Sequence, residues 1–270
     1  METARNLRAD AFAGTADAYL RHRRPYPPAL LDDLVRRAGL SAAPVLLDLA
    51  SGPGRVALDL AARFEKVVAI DLEPEMIAAG QAEAARRGIG NVAWRVGRAE
   101  DATVAPASAD LITIGEAFHR LDQAAILAAA LRWLRPGGCL AILGADGLFA
   151  GDEAWKATLG AVARRWTARA FPGGVAQARP GSALGPDAVA DALRGAGFVE
   201  VQNHGFVEPQ TWSFEAIVGW LRSTSICSEK ALGAAFADFE DELRAALGAP
   251  AAGIFHEAQG YGYILGRRAS

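Results

Sequence analysis

Leu46-Leu47-Asp48-Leu49-Ala50-Ser51-Gly52-Pro53-Gly54-Arg55, followed by Val67-Val68-Ala69-Ile70-Asp71, is the stretch whose reading decides the fold. The first run is apolar and β-type, and it stops in a small, glycine-containing turn that opens a helix. The second run reads as a buried strand ending in one carboxylate, Asp71, at the spacing a βαβ unit needs to bring that acid beside the turn. The pairing reads as a nucleoside site. Gly52 and Gly54 let the backbone approach a ligand closely, and Asp71 can accept both hydroxyls of a ribose.

A dinucleotide site normally carries three glycines and holds a pyrophosphate on the following helix N-terminus. Here the third glycine position is Ala57, and the turn is entered through an acid, Asp48. An anionic Asp48 repels phosphate and suits a cationic or zwitterionic ligand.

Working outward, the chain alternates strand and helix signals. Val56 to Phe64 has helical apolar spacing, Val67 to Asp71 is a short continuous apolar strand, and Pro74 starts a helix that runs to Arg87 and stops at Gly88. Strands follow over Asn91 to Val96, Ala109 to Ile114 and Cys139 to Gly144, with a helix from Gln123 to Leu134 before the last of these. Sixth and seventh strands are expected over Phe198 to His204 and Gly260 to Leu265. Repeated βαβ units with right-handed crossovers give an open sheet whose ligands lie at the carboxyl ends of the strands. The expected fold class is α/β: a Rossmann-like, doubly wound, mostly parallel seven-stranded sheet with a helical lid or insertion after the fifth strand. A single domain over residues 1–270 is expected, with an N-terminal helical cap over 1–40, a cofactor-binding core over 41–147, and an acceptor lid with the C-terminal strands over 148–270.

The set Asp48-x-Ala-Ser-Gly-Pro-Gly, Asp71, Gly97-Arg98-Ala99-Glu100, Ala109-Asp110-Leu111-Ile112 and Leu134-Arg135-Pro136-Gly137-Gly138 resembles, in order and spacing, the motif series of the class I S-adenosylmethionine-dependent methyltransferases. Ala50 replaces the first glycine of the usual pattern. The segment Phe12-x6-Tyr19-x4-Arg24-Pro25-Tyr26-Pro27, with Val218-x-Trp220-Leu221-Arg222-Ser223-Thr224-Ser225, is similar to the small-molecule branch that includes trans-aconitate methyltransferase-like and type 11 methyltransferases. The resemblance implies S-adenosylmethionine as cofactor and methyl transfer to a hydroxyl, carboxylate, amine or carbon of a small molecule. The alternative is a protein that binds the sulfonium and catalyses a non-methylating reaction such as a cyclisation or elimination; a nicotinamide-dependent oxidoreductase is a third reading.

The resemblance also distributes roles. Asp48 suits the methionyl ammonium, directly or through water, or else caps the next turn as a strand-end carboxylate. Ala50, Ser51 and Gly52 line the turn. Asp71 with Leu72 is the ribose clamp, and Met76 packs on adenine or serves as a core helix residue. Ala99 and Glu100 present an amide and an acceptor to adenine, while Arg98 stands where the family's usual acid would be. Gly115 lies at the end of the fourth strand. Tyr19 and Arg24 belong to the N-terminal segment, where Arg24 can pair with the methionyl carboxylate or be one of a solvated basic run, Arg21-His22-Arg23-Arg24. Methyl transfer to a hydroxyl needs a base, and His119 follows the fourth strand, either as that base or as a hydrogen-bonded packing residue. Glu116 is the second candidate, and His204 and His256 receive no chemistry. Trp155, Trp166, Phe171, Trp212 and Trp220 suggest an apolar acceptor pocket or core packing, with Phe171-Pro172-Gly173-Gly174 as a flexible lid segment.

Composition bounds the rest. With 270 residues, 51% hydrophobic and 22% charged, the chain suits a globular domain with a sizeable core. The formal net charge of −3, with acids and bases interspersed, disfavours a nucleic-acid partner. No apolar run is long enough to span a bilayer and the N-terminus lacks a signal-peptide core, so no membrane partner and a cytoplasmic location are expected. Cys139, Cys227 and four scattered histidines have no metal-ligand spacing, so no metal is expected. The expected partner is a small-molecule acceptor, the protein being a monomer or homodimer.

Overall fold

The computed structural model describes residues 12, 14–171, 185–248 and 253–270. In chain order its elements are α1 (Ala16–His22), α2 (Pro28–Ala38), β1 (Val45–Leu49), α3 (Arg55–Leu60), β2 (Lys66–Asp71), α4 (Pro74–Arg87) and β3 (Val92–Val96). There follow β4 (Ala109–Gly115), α5 (Gln123–Trp133), β5 (Leu134–Ala145), α6 (Ala154–Ala170), α7 (Pro186–Ala196) and β6 (Val199–Trp212). The C-terminal part holds α8 (Phe214–Arg222), α9 (Glu229–Leu232), α10 (Phe236–Leu247) and β7 (Phe255–Arg267). The described residues fall into two compact units, one within Pro25–Ala145, Ala183–Phe206 and Tyr261–Ser270, the other within Met1–Arg24, Asp146–Ser182 and Val207–Gly260.

The seven strands form one sheet in the order β3-β2-β1-β4-β5-β7-β6. β1 pairs in parallel with β2 and β4, β2 with β3, and β4 with β5, while β7 runs antiparallel to β5. The order reverses at β1 and β4, and in open α/β sheets the crevice at such a switch point, beyond the strand carboxyl ends, is where ligands bind. The expected Rossmann-like fold is therefore found, and the antiparallel β7 is the one departure from a parallel sheet that the pairings record.

The central strands form because they are apolar on both faces: β1 and β4 are buried almost throughout. In the first unit α2 buries Leu30, Leu31, Leu34 and Ala38 along one stripe, against Leu46, Leu111, Ala141 and Tyr263 of the same core. Pro74 sits at the start of α4 and Gly88, at φ 68°, ends it. Asp122 caps α5 by accepting the Ala125 N–H at 3.1 Å. Asp110, 4% exposed, accepts N–H groups from Ser41 and Val45 at 3.3 and 2.6 Å and pairs with Arg135 at 2.5 Å, which fixes the entry to β1.

Four elements differ in their bounds from the sequence reading. α3 ends at Leu60 and continues as a 3-10 turn over Ala61–Arg63. β5 begins at Leu134 rather than Cys139, since Arg135-Pro136-Gly137-Gly138 enters the sheet irregularly, with Gly137 at φ 77° and the Gly138 carbonyl accepting the Arg268 N–H at 2.8 Å. β6 and β7 outrun their expected ranges because β6 is a sheet edge with little buried surface and β7 is interleaved with polar residues and glycine, so neither carries an apolar signal along its length. Pro209 lies inside β6, a placement that an edge strand tolerates.

The other unit has its own apolar core, in which Trp212 and Trp220 are 2% and 8% exposed and Trp155 and Trp166 pack from the side. These tryptophans are core residues first. Of the expected lid stretch, Phe171 is described and Pro172, Gly173 and Gly174 lie outside the described residues. Among the described residues no helix is long and apolar enough to cross a membrane.

Glycine at position 80, in the middle of α4, is explained by packing. A Cβ there would lie 2.5 Å from the Trp94 indole and 2.9 Å from the Pro53 carbonyl oxygen. Alanine is favoured over glycine in a helix interior by about 1 kcal/mol, yet an overpacked site costs about 1–3 kcal/mol. Gly80→Ala is therefore expected to lower stability in urea unfolding; a stabilised variant would show that Trp94 does not hold this position.

Candidate cofactor and catalytic site

The first unit brings most of the sequence-selected residues to the carboxyl ends of adjacent strands. β1 ends in the turn from Ala50 to Gly54. Its anchor is Asp71 at the end of β2, whose two carboxylate oxygens accept the Gly52 N–H at 2.7 Å and the Glu73 N–H at 2.9 Å. The Ser51 N–H donates to the Ile70 carbonyl at 3.0 Å, so the turn is tied twice to the neighbouring strand. Burial raises the Asp71 pKa above the ordinary carboxylate value, opposed by these two N–H groups and by the charge of Arg120. Each carboxylate oxygen has a second lone pair beyond the one its backbone N–H uses, which is the capacity two ribose hydroxyls require.

Asp48 is buried more deeply. It is 1% exposed, accepts the Thr113 hydroxyl at 2.7 Å and the Ala57 N–H at 3.2 Å, and thereby joins β1, β4 and the first turn of α3. Complete burial pushes its pKa to about 7, with the nearby Asp71 charge acting in the same direction. The geometry is that of a turn-capping carboxylate. Thr113, which the sequence reading did not single out, is the partner that makes it so, and only the parallel β1–β4 register, Asp48 beside Thr113, reveals it.

The two glycines of the turn do different work. A Cβ on Gly52 would meet nothing within 4 Å, so the space over that residue is open to a ligand. A Cβ on Gly54, at φ 79°, would run into the Trp94 ring. Gly54 thus has a packing reason to be glycine: it makes room for an indole. Ala50 adopts φ 50°, a left-handed conformation that disfavours a side chain.

At the end of β3, Ala99 is buried, and Glu100 accepts the Asp122 N–H at 3.1 Å and pairs with Arg98 at 3.4 Å. Arg98 also reaches Asp101 at 3.5 Å, so the cation in the place of the usual acid is held among acids. Leu72 is 40% exposed beside Asp71, whereas Met76 is 2% exposed and sits as a core residue of α4.

At the end of β4, Gly115 faces Val56 and the Tyr26 hydroxyl, which a Cβ would approach to 3.3 and 3.4 Å. Glu116 follows at φ 53°, a second left-handed non-glycine, with its N–H donated to the Leu143 carbonyl at 2.9 Å. Next comes the 3-10 turn Phe118–Arg120, where Phe118 is buried and His119 is exposed. The His119 imidazole has no hydrogen-bond partner among the described residues. Surrounding protein, and then the charge of Arg120, lower its pKa below the usual 6.5, so it is neutral at pH 7.

Tyr19 and Arg24 belong to the other unit. There Arg24 donates to the Gln210 side chain and the Thr211 carbonyl and lies over the Trp212 ring, 4.2 Å from its centroid. Arg23 donates to Ser223 at 2.8 Å and lies over the Tyr19 and Trp220 rings at 5.2 and 4.3 Å. Within the basic run Arg21-His22-Arg23-Arg24, Arg23 and Arg24 are thus packed guanidinium groups, whereas Arg21 is exposed and pairs with Asp17 at 2.8 Å.

Comparison with known proteins agrees with this arrangement. Residues 46–138 match the family model described as a methyltransferase domain. The chain is 35% identical over 231 residues to the nocamycin O-methyltransferase of Saccharothrix syringae, covering 80% of each chain. It is 41% identical over 107 residues to a ubiquinone/menaquinone biosynthesis C-methyltransferase of Rubrivivax gelatinosus, covering 38% of this chain and 40% of that one. Among solved structures, a protein of Anaeromyxobacter dehalogenans described as a type II methyltransferase superposes with a TM-score of 0.63 at 25% identity, covering 92% of this chain and 98% of the other. The chain belongs to the class I S-adenosylmethionine-dependent methyltransferases that act on small molecules.

Proposed function

We propose that the acceptor atom is a hydroxyl oxygen of a small molecule and that His119 removes its proton. The observation that carries this reading is the state of the imidazole: exposed at the carboxyl end of β4, without a hydrogen-bond partner among the described residues, and kept neutral. A histidine that packs into the core is buried and uses its ring nitrogens on the protein, whereas His119 is exposed and does neither. The nocamycin enzyme, to which four-fifths of the chain aligns, is named as an O-methyltransferase, which supports oxygen as acceptor.

S-adenosylmethionine supplies an electrophilic methyl group on a positively charged sulfur. The chain's own contribution is to hold the cofactor and the acceptor in line and to accept one proton at the imidazole as the new carbon–oxygen bond forms. In the cofactor reading, Asp71 receives the ribose hydroxyls beside Leu72, the open backbone of Ala50, Ser51 and Gly52 faces the ligand, and Ala99 with Glu100 meets adenine. Asp48 acts from beneath the turn, through the Ala57 N–H, and provides a charge that a cationic ligand stabilises. The donor set fits the cofactor: two carboxyls at adjacent strand ends and open space over Gly52 suit a cation with a ribose and do not suit a pyrophosphate.

Two predictions follow from these roles. Asp71→Asn keeps the side chain's size and one acceptor oxygen but removes the charge that ribose hydroxyls would meet. It should weaken S-adenosylhomocysteine binding by about 1–3 kcal/mol in calorimetry, and unchanged affinity would remove Asp71 from the ribose site. His119→Ala should leave that affinity intact while reducing turnover about a hundredfold. In the unaltered protein turnover should fall on the acid side with a midpoint below 6.5, because protonation disables a base whose pKa is lowered, and the variant should lose this limb. A severalfold effect with the pH profile retained would make His119 a positioning residue.

A further inference from the structure

On the first unit, lined by none of the candidate cofactor or catalytic residues, a surface cleft of about 630 Å³ opens between the flank of α2 and β6. Arg36, Arg37, His204 and Phe206 line it, with Asp33 at its base. Tyr263 supports it from β7: its ring lies 4.8 Å from the His204 ring and 6.3 Å from the Phe206 ring, nearly parallel to the latter at 22°. Its hydroxyl donates to Asp33 at 2.5 Å.

The acids of the cleft are already spoken for. One oxygen of Asp33 accepts from Arg36, and the other accepts from the Arg37 Nε at 2.9 Å and from Tyr263. These donors hold the Asp33 carboxyl down at about 2, so it is ionised and saturated. Asp32 is turned to Arg63. The donors are not used up. Arg36 spends one terminal nitrogen on Asp33 and Arg37 spends its Nε, which leaves further N–H groups on both guanidiniums without a partner among the described residues. The Nε2 atom of His204 is shut off from solvent and hydrogen-bonds to nothing among the described residues, and such orphaned nitrogens are uncommon in folded proteins.

We propose that this cleft is a second small-molecule site, one that binds an oxyanion, carboxylate or phosphate monoester, carried on a flat aromatic body. The guanidinium forks take the oxyanion oxygens, a pairing for which their planar geometry is suited. The His204 imidazole walls the cleft beside them, and the Phe206 ring, backed by Tyr263, is the surface on which the flat body lies. The volume falls in the range that small-molecule sites occupy. The site is independent of the proposed hydroxyl acceptor and of the base assigned to His119.

The test uses the full chain at pH 7 with phenyl phosphate, benzoate and inorganic phosphate as probes, following the imidazole resonances of the four histidines. A saturable shift of the His204 resonance with phenyl phosphate or benzoate, weaker by about fivefold or more with inorganic phosphate, is expected. Preference between the first two identifies the oxyanion. Arg36→Gln and Phe206→Ala should each weaken binding about tenfold, while thermal stabilisation by S-adenosylhomocysteine stays unchanged and certifies that both variants fold. No saturable shift of His204 up to roughly 20 mM probe, or an affinity in either variant unchanged from that of the unaltered protein, would overturn the proposal.

Discussion

Asp71 holds two turns with one carboxylate. The turn after β1 presents the Gly52 N–H and the turn after β2 presents the Glu73 N–H, both at strand ends where no ladder partner remains, and the acid accepts one on each oxygen. Everything at the front of the sheet inherits its position from this bridge: the open backbone over Gly52, the start of α3 and the start of α4. The same side chain that organises these turns is the one we propose to receive ribose hydroxyls on its remaining lone pairs. Structure and binding are therefore hard to separate at this residue, whereas at His119, which spends no hydrogen bond on the fold, they separate cleanly.

The middle of the fold was legible because it is buried on both faces. Continuous apolar runs such as Val67 to Ile70 and Leu111 to Ile114, punctuated by Pro74 and Gly88, leave no other arrangement than parallel strands and intervening helices. The edge of the sheet was much less legible: β6 shows water most of its side chains, so Glu208, Pro209 and Gln210 look like a loop until the hydrogen-bonded neighbour is known. In the candidate site the ends of strands could be read from the sequence, but their lateral partners could not. Thr113 beside Asp48, Trp94 against Gly54 and Gly80, and the bonds that occupy Arg24 all join residues far apart in the chain. The tryptophans of the second unit were ambiguous for a related reason, since an aromatic that lines a pocket and one that fills a core have the same sequence signature.

Two strained residues, Ala50 and Glu116, follow directly on the neighbouring strands β1 and β4. A non-glycine at positive φ costs on the order of 1–3 kcal/mol and persists only where its surroundings over-determine it. At Ala50 the Ser51 N–H bond to Ile70 provides that determination, and at Glu116 the bond to the Leu143 carbonyl does. Both turns sit at the topological switch point, where the chain must bend sharply away from the sheet to leave a crevice.

The carboxyl of Asp48, poised at about 7, gives this part of the protein an adjustable charge. A carboxyl pushed that far up by burial does not present a fixed field; it takes up or releases its proton according to what is placed opposite it. A positively charged ligand would select the ionised form and expel a proton to the buffer, and a neutral ligand of the same shape would not. Since methyl transfer turns a cationic sulfonium into a neutral thioether, the affinity ratio between cofactor and spent cofactor would become a function of the proton concentration, set by a residue that lies wholly beneath the surface.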